Sequence, residues 1–411
     1  MINDSIAYQN GVLHCDAVPL TQIASEVGTP TYVYSLKRVL ANVQRIRTAF
    51  AALHAHIHYS AKANANLTLL KTLIDAGTGI DAVSAGEIHR ALTAGADAKE
   101  IVFAGVGKTP DELRYAVQQG VGWFNVENVE ECVLLNQLAQ EQGGKVRVAL
   151  RLNPDVTANT HPYIATGHGA AKFGLTAEVV KSVLASQADY PHLDFAGIHL
   201  HIGSQLHDID ATVQAVRTAL EIIRPYPGIR TVNMGGGLPV AYDSATVLPD
   251  FSAFADALAP LLANYEVILE PGRSIIADAG LLLTRVLYLK QQAGQRLVVV
   301  DASMAELLRP ALYEAHHEIV AVTSSDADLH SVHVVGPVCE SSDVLGMNVM
   351  LPEVHPGDLL AILTAGAYGM VMASNYNART RPAEIVVQPD GQSWRIARQR
   401  ETWDDLIRLE L

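Results

Sequence analysis

The sequence predicts an α/β protein, in which a (β/α)₈ TIM-type barrel is followed by a C-terminal antiparallel β-domain. From about residue 36, short apolar β-type runs alternate with amphipathic helical stretches, a pattern typical of βα units around a parallel sheet. Eight such runs occur over the expected length of one barrel. After about residue 280 the chain is rich in β-type runs and lacks regular helices, which indicates the second domain.

The barrel is assigned to residues 36–280. Its strands are predicted at Ile57–Ala61, Gly79–Val83, Ile101–Ala104, Gly122–Val126, Val146–Leu152, Phe195–His201, Thr231–Gly235 and Glu266–Glu270. Helical patterns lie at Leu67–Ala76, Ala85–Ala94, Pro110–Gln118, Val129–Gln140, Ala177–Ala185, Ala211–Ile223 and Phe251–Ala263. The longest interruption runs from Asn153 to Gly174, and its Gly, Thr, His and Asn content predicts a loop near the active-site mouth.

The β-rich domain is assigned to residues 1–35 and 281–411, and we expect it to contribute to the substrate site and the dimer interface. The N-terminal part has a β-type run at Ile6–Leu13, a helix at Thr21–Val27 and an extended segment at Pro30–Tyr34. Later strands are predicted at Leu281–Leu289, Arg296–Asp301, Glu318–Val322, Val332–Val338, Asp358–Leu363, Ala383–Val387 and Trp394–Ala397.

The composition indicates an enzyme acting on small molecules. The 411 residues carry a formal net charge of -14, which speaks against a basic surface that could bind nucleic acid. No apolar run approaches the length of a membrane span, and we see no signal-like start. The cysteines Cys15, Cys132 and Cys339 are too few and too widely spaced for a disulfide framework or a cysteine-based zinc site. We expect a cytoplasmic protein.

Lys62 ends the first barrel strand, in the stretch Ile57-His-Tyr-Ser-Ala-Lys-Ala-Asn-Ala-Asn66. In a β/α barrel the carboxyl end of a strand opens onto the active-site face. A lysine amine there can form a Schiff base with an aldehyde, and burial lowers its pKa enough to make it nucleophilic. Taken alone, Lys62 is more readily interpreted as a solvated lysine at the end of a strand. The residues at the other strand ends favour a Schiff-base lysine instead.

The strand ends are unusually polar for a packed barrel. They carry Lys62, Asp81, Gly105, Asn125 with Glu127, Arg151 with Asn153, His199 with His201, Gly235-Gly236-Gly237, and Glu270 with Arg273. The glycine triplet lets backbone N–H groups approach an anion, and Pro271-Gly272-Arg273 adds further donors and a cation. Loops after strands seven and eight are the recurrent phosphate site of this barrel, although a glycine triplet alone also fits a tight turn.

A phosphate site, a strand-end lysine and a strand-end carboxylate together predict pyridoxal 5'-phosphate as the cofactor. Lys62 would hold the aldehyde, and Glu270 would keep the pyridine nitrogen protonated, so that the ring accepts electrons from the α-carbon of an amino acid. We expect His201 to stack on the ring, Ser204 to reach the phosphate and Asp81 to fix polar groups nearby. A strand-end histidine by itself is more often structural.

Seven motifs follow one another along nearly the whole chain. They are Tyr59-Ser-Ala-Lys-Ala-Asn64, His199-Leu-His-Ile-Gly-Ser-Gln205, Gly235-Gly-Gly237, Glu270-Pro-Gly-Arg273, Arg309-Pro-Ala-Leu-Tyr313, Cys339-Glu-Ser-Ser-Asp343 and Gly366-Ala-Tyr368. In this order they resemble the diaminopimelate decarboxylases, which are fold-type III, alanine-racemase-like enzymes that use pyridoxal phosphate. The resemblance implies a carboxy-lyase that converts meso-2,6-diaminopimelate to L-lysine and CO2, the last step of lysine biosynthesis, as a homodimer with shared active sites.

The resemblance also implies roles for single residues. Lys62 forms the Schiff base, Glu270 contacts the pyridine nitrogen and His201 stacks on the ring. The resemblance places Ser204, Gly237, Gly272, Arg273 and Tyr368 around the phosphate or close to it. Asp81 and Gly236, from the strand-end pattern, complete the predicted cofactor-binding residues. The substrate-binding residues are Arg273, Arg309, Tyr313, Glu340 and Tyr368, the first three at the distal carboxylate. Cys339 enters the site of the partner subunit as the proton donor, and Glu340 enters it near the distal ammonium.

The charges of Arg309 and Glu340 also support meso-diaminopimelate as the substrate. meso-Diaminopimelate has a second ammonium and a second carboxylate at its far end, and Arg309 with Glu340 offers the opposite charge to each. Bidentate carboxylate binding suits arginine. An ornithine or lysine decarboxylase binds only an ammonium there, so a buried Arg309 would be costly. Gln205 also resembles the diaminopimelate branch.

The stretch Asp301-Ala-Ser-Met-Ala-Glu306 departs from the family pattern. Ser303 stands where the family usually has Gly, and Ala305-Glu306 where Asn-Asp is usual. These positions directly precede Arg309, so they leave its placement and the exact substrate open. The prediction of pyridoxal phosphate does not depend on them.

Three alternatives remain. A sister decarboxylase would act on carboxynorspermidine, ornithine, lysine or a carrier-bound amino acid. A metal-dependent barrel hydrolase would use His199, His201 and Glu270, because His-x-His spacing puts both rings on one face of a strand; its further candidate ligands are His54, His56 and His58. A regulatory homologue would bind the cofactor without turnover.

Overall fold

The computed structural model describes residues 2–156 and 172–410. Most of the loop predicted between Asn153 and Gly174 therefore lies outside the described residues. The chain forms two compact units. The β-rich unit comprises Met1–Asn42, Val240–Val247 and Ser274–Leu411, and the barrel unit comprises Val43–Pro239 and Leu248–Arg273. Within the described ranges, every helix is too short or too polar to cross a membrane.

The N-terminal segment begins with a small antiparallel sheet of β1 (Ile6–Gln9), β2 (Val12–Cys15) and β3 (Val18–Pro19). Asn10 and Gly11 have φ of 50° and 81° and turn the chain between β1 and β2. Asn-Gly is the strongest short hairpin signal, so the single run predicted over Ile6–Leu13 is wrong. The sheet is followed by α1 (Leu20–Val27), β4 (Thr31–Ser35) and α2 (Leu36–Ala49).

Among the described residues, eight parallel strands close into a barrel, as predicted. They are β5 (His56–Ser60), β6 (Gly79–Ala82), β7 (Ile101–Phe103), β8 (Trp123–Val126), β9 (Val146–Leu152), β10 (Leu193–Leu200), β11 (Thr231–Asn233) and β12 (Glu266–Leu269). The barrel closes where β12 pairs with β5, with Ile268 beside His56.

Helices connect these strands and begin at side-chain caps. They are α3 (Leu67–Asp75), α4 (Ala85–Thr93), α5 (Pro110–Gln119), α6 (Val129–Glu141), α7 (Ala177–Ala185), α8 (Ile209–Ile223) and α9 (Phe251–Leu262). The caps accept an N–H of the first turn and are Asn66, Ser84, Thr109, Asn128, Thr176, Asp208 and Asp250. Each such cap contributes about 1 kcal/mol and fixes where its helix starts.

The later part of the chain continues with α10 (Arg273–Ile276) and then a β-rich region. Its elements are β13 (Gly280–Gln292), β14 (Gln295–Val300), α11 (Arg309–Tyr313), β15 (Ile319–Ala321), β16 (His330–Val335), β17 (Val344–Leu351), β18 (Leu359–Ile362), β19 (Ala383–Val387), β20 (Trp394–Arg398) and α12 (Trp403–Ile407). With β4 these strands form a nine-stranded sheet within the described residues. Only the β14–β16 and β4–β19 pairs among them are parallel, so the predicted antiparallel domain is confirmed.

The structure differs from the sequence prediction for this region in two ways. The region does contain helices, although α11 and α12 span only five residues each. The strand β17 was not predicted, because Gly346 and the left-handed Asn348, with φ of 53°, interrupt its alternation. The strand β4 is buried along its whole length, and β13 and β19 pair with its two edges.

A Gly122→Ala substitution should destabilise the barrel. A Cβ at Gly122 would lie 1.9 Å from the carbonyl oxygen of Lys99, which belongs to the backbone and cannot rotate away. Overpacking of this kind typically costs about 1–3 kcal/mol, so thermal denaturation should show a lower melting temperature. Gly144→Ala is the matched control, because a Cβ there meets no atom within 4 Å. Equal melting temperatures for the two variants would contradict this close packing.

Candidate active site

The polar residues predicted at the strand ends meet at the carboxyl end of the barrel. Glu270 contacts Asn125 and His199 from other strands, and its charge also acts on Asp81. Earlier along the strands the interior is apolar, with a cluster of Val102, Trp123, Ala149 and Ile268. The barrel therefore has an apolar core that ends in a polar, buried layer where an active site is expected.

Lys62 lies on a short 3₁₀ turn, Ala61–Ala63, directly after β5. Its side chain is 39% exposed, and its Nζ lies 3.8 Å from Asp81 Oδ2. The same carboxylate oxygen accepts a hydrogen bond of 2.6 Å from Ser60 Oγ. The amine of Lys62 is thus accessible at the mouth of the barrel and stands beside a buried carboxyl group.

Asp81 titrates near neutral pH. Burial raises the pKa of its carboxyl group to about 7, and the negative charge of Glu270 acts in the same direction, against the opposing effects of Lys62 and Ser60. Asp81 Oδ1 has no hydrogen-bond partner among the described residues. A proton-accepting group therefore lies next to the amine of Lys62.

Glu270 is a buried carboxylate with three side-chain partners. Asn233 Nδ2 and Asn125 Nδ2 donate to Oε1 at 2.6 and 3.1 Å, and His199 Nε2 lies 3.2 Å from Oε2. Burial alone would raise the pKa of Glu270, but the His199 charge, the bonds from His199 and Asn233 and the Lys62 charge hold it below its ordinary value. Glu270 is therefore ionised inside the barrel. Asn233 was missed as a site residue, although its place just before the glycine triplet could have suggested it.

His201, after β10, is a neutral imidazole. Its Nδ1 accepts a hydrogen bond of 3.1 Å from the N–H of Gly236, which leaves the ring proton on Nε2. Burial lowers the pKa of His201 well below its ordinary value, and the charges of Lys62 and Arg151 lower it further. A flat, uncharged ring in this position is suited to covering the face of a planar ligand.

The glycine triplet after β11 has no room for side chains. A Cβ would lie 2.6 Å from His201 Nδ1 at Gly235, 2.5 Å from the Glu270 carbonyl oxygen at Gly236, and 2.7 Å from the Gly203 carbonyl oxygen at Gly237. The N–H groups of Gly235 and Gly236 donate to Asn233 Oδ1 and His201 Nδ1. Among the described residues, the N–H of Gly237 has no such side-chain acceptor, so it can face an anion.

Gly272 and Arg273 complete this end of the barrel. A Cβ on Gly272 would lie 3.0 Å from the Cβ atoms of Ser60 and Ala63, so the loop after β12 lies against the turn that carries Lys62. The guanidinium of Arg273 lies 3.2 Å from Ser204 Oγ through its Nη2. The predicted phosphate residues of the barrel unit are thus neighbours in space.

A second buried ionic network holds the loops after β7, β8 and β9. Lys108 Nζ contacts Glu131 Oε1 at 2.6 Å, and Arg151 Nη1 contacts Glu127 Oε1 at 2.7 Å. The two pairs are joined because Glu131 Oε2 accepts the N–H of Glu127 at 3.0 Å. Glu127 Oε2 also accepts the N–H of Gly174 at 3.1 Å. Neither Lys108 nor Glu131 was predicted, since nothing in the sequence distinguishes them from surface charges.

In the β-rich unit, Arg309 is buried at the start of α11. Its Nη1 donates to His317 Nε2 at 2.7 Å, while His317 Nδ1 donates to the Leu363 carbonyl oxygen at 2.9 Å. The Tyr242 ring faces the guanidinium carbon at 4.6 Å. Burial, followed by the charge of Arg309, lowers the pKa of His317 well below its ordinary value. His317 and Tyr242, neither of them predicted, hold the guanidinium without adding negative charge.

The residues before Arg309 that depart from the family pattern, Ser303, Ala305 and Glu306, are hydrogen-bonded to one another. Glu306 Oε2 accepts the N–H of Ser303 at 2.7 Å and its Oγ–H at 2.6 Å. Ser303 Oγ also accepts the N–H of Ala305 at 3.0 Å, and Tyr32 donates to the Glu306 carbonyl oxygen at 2.7 Å. Burial raises the pKa of Glu306. The unusual residues therefore satisfy one another and support the loop that leads to Arg309.

Cys339 and Glu340 are exposed on the loop between β16 and β17. The buried Asp343 holds this loop, because its carboxylate accepts the N–H of Met304 at 2.6 Å and that of Val338 at 2.8 Å. Met304 belongs to the loop that precedes Arg309. Asp343, the last residue of its motif, therefore ties the loop of Cys339 to the loop that leads to Arg309.

The two tyrosines predicted for the site also lie in the β-rich unit. Tyr313 ends α11 and is half-buried, and Tyr368 follows β18 with a left-handed φ of 56°. Gly366 in the same motif is required by packing, because a Cβ there would lie 2.0 Å from the Ile276 carbonyl oxygen. Arg309, Tyr313, Cys339, Glu340 and Tyr368 belong to this unit, and the other predicted site residues belong to the barrel unit.

The metal-hydrolase alternative finds no support in the geometry. Within residues 2–156 and 172–410, no three His, Cys, Asp or Glu side chains are grouped so as to hold one ion. His199 is bound to Glu270, and His201 accepts from Gly236. Of the histidines in the first strand, His56 is exposed and His58 is buried.

Comparison with known proteins gives a consistent result over the whole chain. Residues 36–277 match the family model described as pyridoxal-dependent decarboxylase, pyridoxal binding domain. The chain is 42% identical to the diaminopimelate decarboxylase of Neisseria meningitidis serogroup B, covering 97% of both chains. It is also 42% identical to that of Pseudomonas aeruginosa, covering 98% of both chains.

Comparison with solved structures gives the same result as comparison of sequences. A diaminopimelate decarboxylase from Helicobacter pylori complexed with L-lysine superposes with a TM-score of 0.90 at 38% identity, covering 95% of this chain and 99% of that one. The enzyme from M. jannaschii in co-complex with L-lysine gives 0.94 at 35% identity, covering 100% and 99%. A lysine/ornithine decarboxylase from Vibrio vulnificus shares the fold, with a TM-score of 0.79 at 21% identity, covering 90% and 97%.

Replacing Asp81 by Asn should remove a pH-dependent contribution to the stability of the cofactor-free protein. The folded pKa of about 7 lies above the ordinary value of 3.8, so the protonated carboxyl favours folding at low pH and this contribution is lost as the pH rises to about 7. The melting temperature of the wild type relative to Asp81→Asn should therefore fall between about pH 4 and about pH 7 and stay constant above that.

Thermal denaturation at several pH values without cofactor measures this difference. The exposed Asp328→Asn variant controls for the loss of one negative charge. A wild-type advantage that stays constant over the range would show that Asp81 does not titrate there.

Proposed function

This chain belongs to the diaminopimelate decarboxylase family of the pyridoxal-dependent decarboxylases, and from that membership we infer that it decarboxylates diaminopimelate to L-lysine and CO2, with pyridoxal 5'-phosphate as cofactor. We propose that the meso isomer is the substrate and that the reaction is the last step of lysine biosynthesis. The relatives that were solved with L-lysine bound support this product.

The observation that carries this function is the arrangement at the barrel mouth. An accessible amine, Lys62, lies there with the buried, ionised Glu270 and a glycine-lined loop. Pyridoxal phosphate presents an aldehyde, a basic ring nitrogen and a phosphate, and each of the three finds a fitting group in this set. Asp81 Oδ1, which has no hydrogen-bond partner among the described residues, also fits a site built around a ligand.

When bound, pyridoxal phosphate supplies an aldehyde that takes up the α-amine of an amino acid and a protonated ring that stabilises negative charge on the α-carbon. We propose that Lys62 holds the aldehyde and that Glu270 accepts a hydrogen bond from the ring nitrogen. Since Glu270 stays ionised, it keeps the proton on that nitrogen. Asp81 can take a proton from the amine of Lys62, because its pKa lies near neutral pH.

Other residues of the barrel unit orient the cofactor in this proposal. His201 covers one ring face, and its neutrality avoids repulsion with the protonated ring. The groups proposed at the phosphate are Ser204, Gly237, Gly272, Arg273 and, from the β-rich unit, Tyr368, and the contact between Arg273 and Ser204 supports this assignment. Gly236 is proposed to hold His201 against the cofactor, because its N–H donates to His201 Nδ1.

We propose that Arg309 binds the distal carboxylate of the substrate, with Arg273, Tyr313 and Tyr368 as further substrate-binding residues. The support is its buried guanidinium, which His317 and Tyr242 hold in one orientation. The hydrogen bond to the uncharged His317 fixes the orientation in which the guanidinium can meet a carboxylate. The loop before Arg309 is well supported despite its unusual residues, which favours this role.

Cys339 and Glu340 are proposed to act in the site of the partner subunit of a homodimer. Cys339 Sγ would donate a proton to the α-carbon after CO2 leaves, and Glu340 would bind the distal ammonium. Their exposure on their own chain, on a loop held by the buried Asp343, supports a role in contact with another chain. We further propose a cytoplasmic location, which suits three free thiols.

Product formation by the purified protein with added pyridoxal phosphate tests the function. We expect L-lysine from meso-diaminopimelate, and no diamine from L-lysine or L-ornithine offered in parallel, because Arg309 requires a distal carboxylate. Diamines from the last two would indicate a sister decarboxylase. Cofactor binding without any product would indicate the regulatory alternative.

A Lys62→Ala variant should lose turnover by on the order of a thousand-fold or more, because no amine remains to hold the cofactor aldehyde and exchange with substrate. The visible absorbance of the covalently held cofactor should disappear as well. Lys71→Ala is the matched control, since Lys71 is exposed and pairs only with Asp75 one helical turn away among its described contacts. Substantial turnover by Lys62→Ala would refute the role given to Lys62.

A further inference from the structure

The segment 374–379, which lies outside the seven motifs, contacts the loop of Cys339 and Glu340. The hydroxyl of Tyr376 donates a hydrogen bond to Glu340 Oε1. The next residue, Asn377, accepts the N–H of Cys339 through its Oδ1 at 3.2 Å. Two consecutive side chains of one segment therefore reach the two consecutive residues to which catalysis and substrate binding were assigned above.

This segment is itself fixed on the β-rich unit. Asn375 Nδ2 donates to Glu401 Oε2 at 2.7 Å, and Arg381 Nε donates to Glu401 Oε1 at 2.6 Å. Burial opposes ionisation of Glu401, but the bonds from Arg381 and Asn375 lower its pKa to about 2. The N–H of Ser374 also donates to the Ala305 carbonyl oxygen at 2.9 Å. The segment is thus anchored by contacts to Glu401 and Ala305, independently of its contacts to Cys339 and Glu340.

The backbone of the segment is strained at the point of contact. Asn377 and Ala378 have φ of 54° and 55°, inside the 3₁₀ turn Tyr376–Ala378. The left-handed region is unfavourable for alanine, so the surrounding contacts must hold it there. Strain of this kind is characteristic of segments whose geometry serves a site.

We propose that Tyr376 is a positioning residue that orients the carboxylate of Glu340 for the distal ammonium of the substrate, which makes it a determinant of substrate specificity. The proposal rests on the function proposed above. Glu340 is exposed, and a free glutamate side chain would sample many rotamers. A hydrogen bond from a fixed hydroxyl restricts those rotamers before the substrate arrives, which lowers the entropic cost of binding. The same hydrogen bond raises the pKa of Tyr376.

Steady-state kinetics of Tyr376→Phe and Glu340→Gln, alone and combined, test this inference with the full-length holoenzyme. We expect Tyr376→Phe to raise KM for meso-diaminopimelate about three- to ten-fold with little change in kcat, because one hydrogen bond to a charged group is lost. In the Glu340→Gln background the same change should have a much smaller effect, because the negative charge that Tyr376 directs toward the distal ammonium is gone. Tyr288→Phe, at an exposed tyrosine of β13, is the matched control.

Two inhibitors separate orientation of Glu340 from a general effect on the site. L-lysine carries both distal groups of the substrate, whereas 6-aminohexanoate lacks the distal ammonium and keeps the carboxylate. Tyr376→Phe should weaken inhibition by L-lysine and leave inhibition by 6-aminohexanoate unchanged. Equal weakening for both compounds would mean that Tyr376 only shapes the loop, and it would overturn the inference.

The remaining outcomes distinguish this inference from the function on which it rests. If Glu340→Gln weakens substrate binding but Tyr376→Phe does not, or if the two effects simply add, the role of Glu340 stands and that of Tyr376 is refuted. If Glu340→Gln leaves both KM and inhibition by L-lysine unchanged, the assignment of Glu340 to the distal ammonium fails, and the role of Tyr376 fails with it.

Discussion

The buried negative charge of Glu270 is the interaction on which the barrel end depends. Two amides, Asn125 and Asn233, and one imidazole, His199, come from three different strands to meet it. Burial is the main cause that raises the pKa of Asp81, the group beside Lys62, and the charge of Glu270 raises it further. One buried anion thus fixes the geometry of the polar layer and contributes to its titration.

Carboxylates also join the functional loops to one another. Glu127 accepts N–H groups from Gly105 and Gly174, and Asp343 accepts them from Met304 and Val338. Loop N–H groups have no sheet or helix partner, so those that become buried need another acceptor. A short, ionisable side chain that serves two loops at once meets this need and fixes their spacing.

Most of the fold could be predicted because its signals are local. Apolar runs, caps and turn residues mark all eight barrel strands, and the strand ends then follow from the parallel order. The partners of these residues are not local. His317 is buried against Arg309, yet its neighbour His316 is exposed, and nothing in the sequence tells the two apart. Tyr376 likewise reaches Glu340 across 36 positions of the chain. The roles of Cys339 and Glu340 could be suggested only by resemblance.

The contact between Ser303 and Glu306 changes how sequence differences within this family should be interpreted. Residue 303 supplies two donors to one oxygen of Glu306, its backbone N–H and the Oγ–H that only a serine provides. Loss of the Glu306 carboxylate would leave these buried donors unsatisfied, at a cost of about 1–3 kcal/mol. Differences from the family pattern at positions 303 and 306 should therefore be interpreted together, because the two residues form one hydrogen-bonded unit in the loop that leads to Arg309.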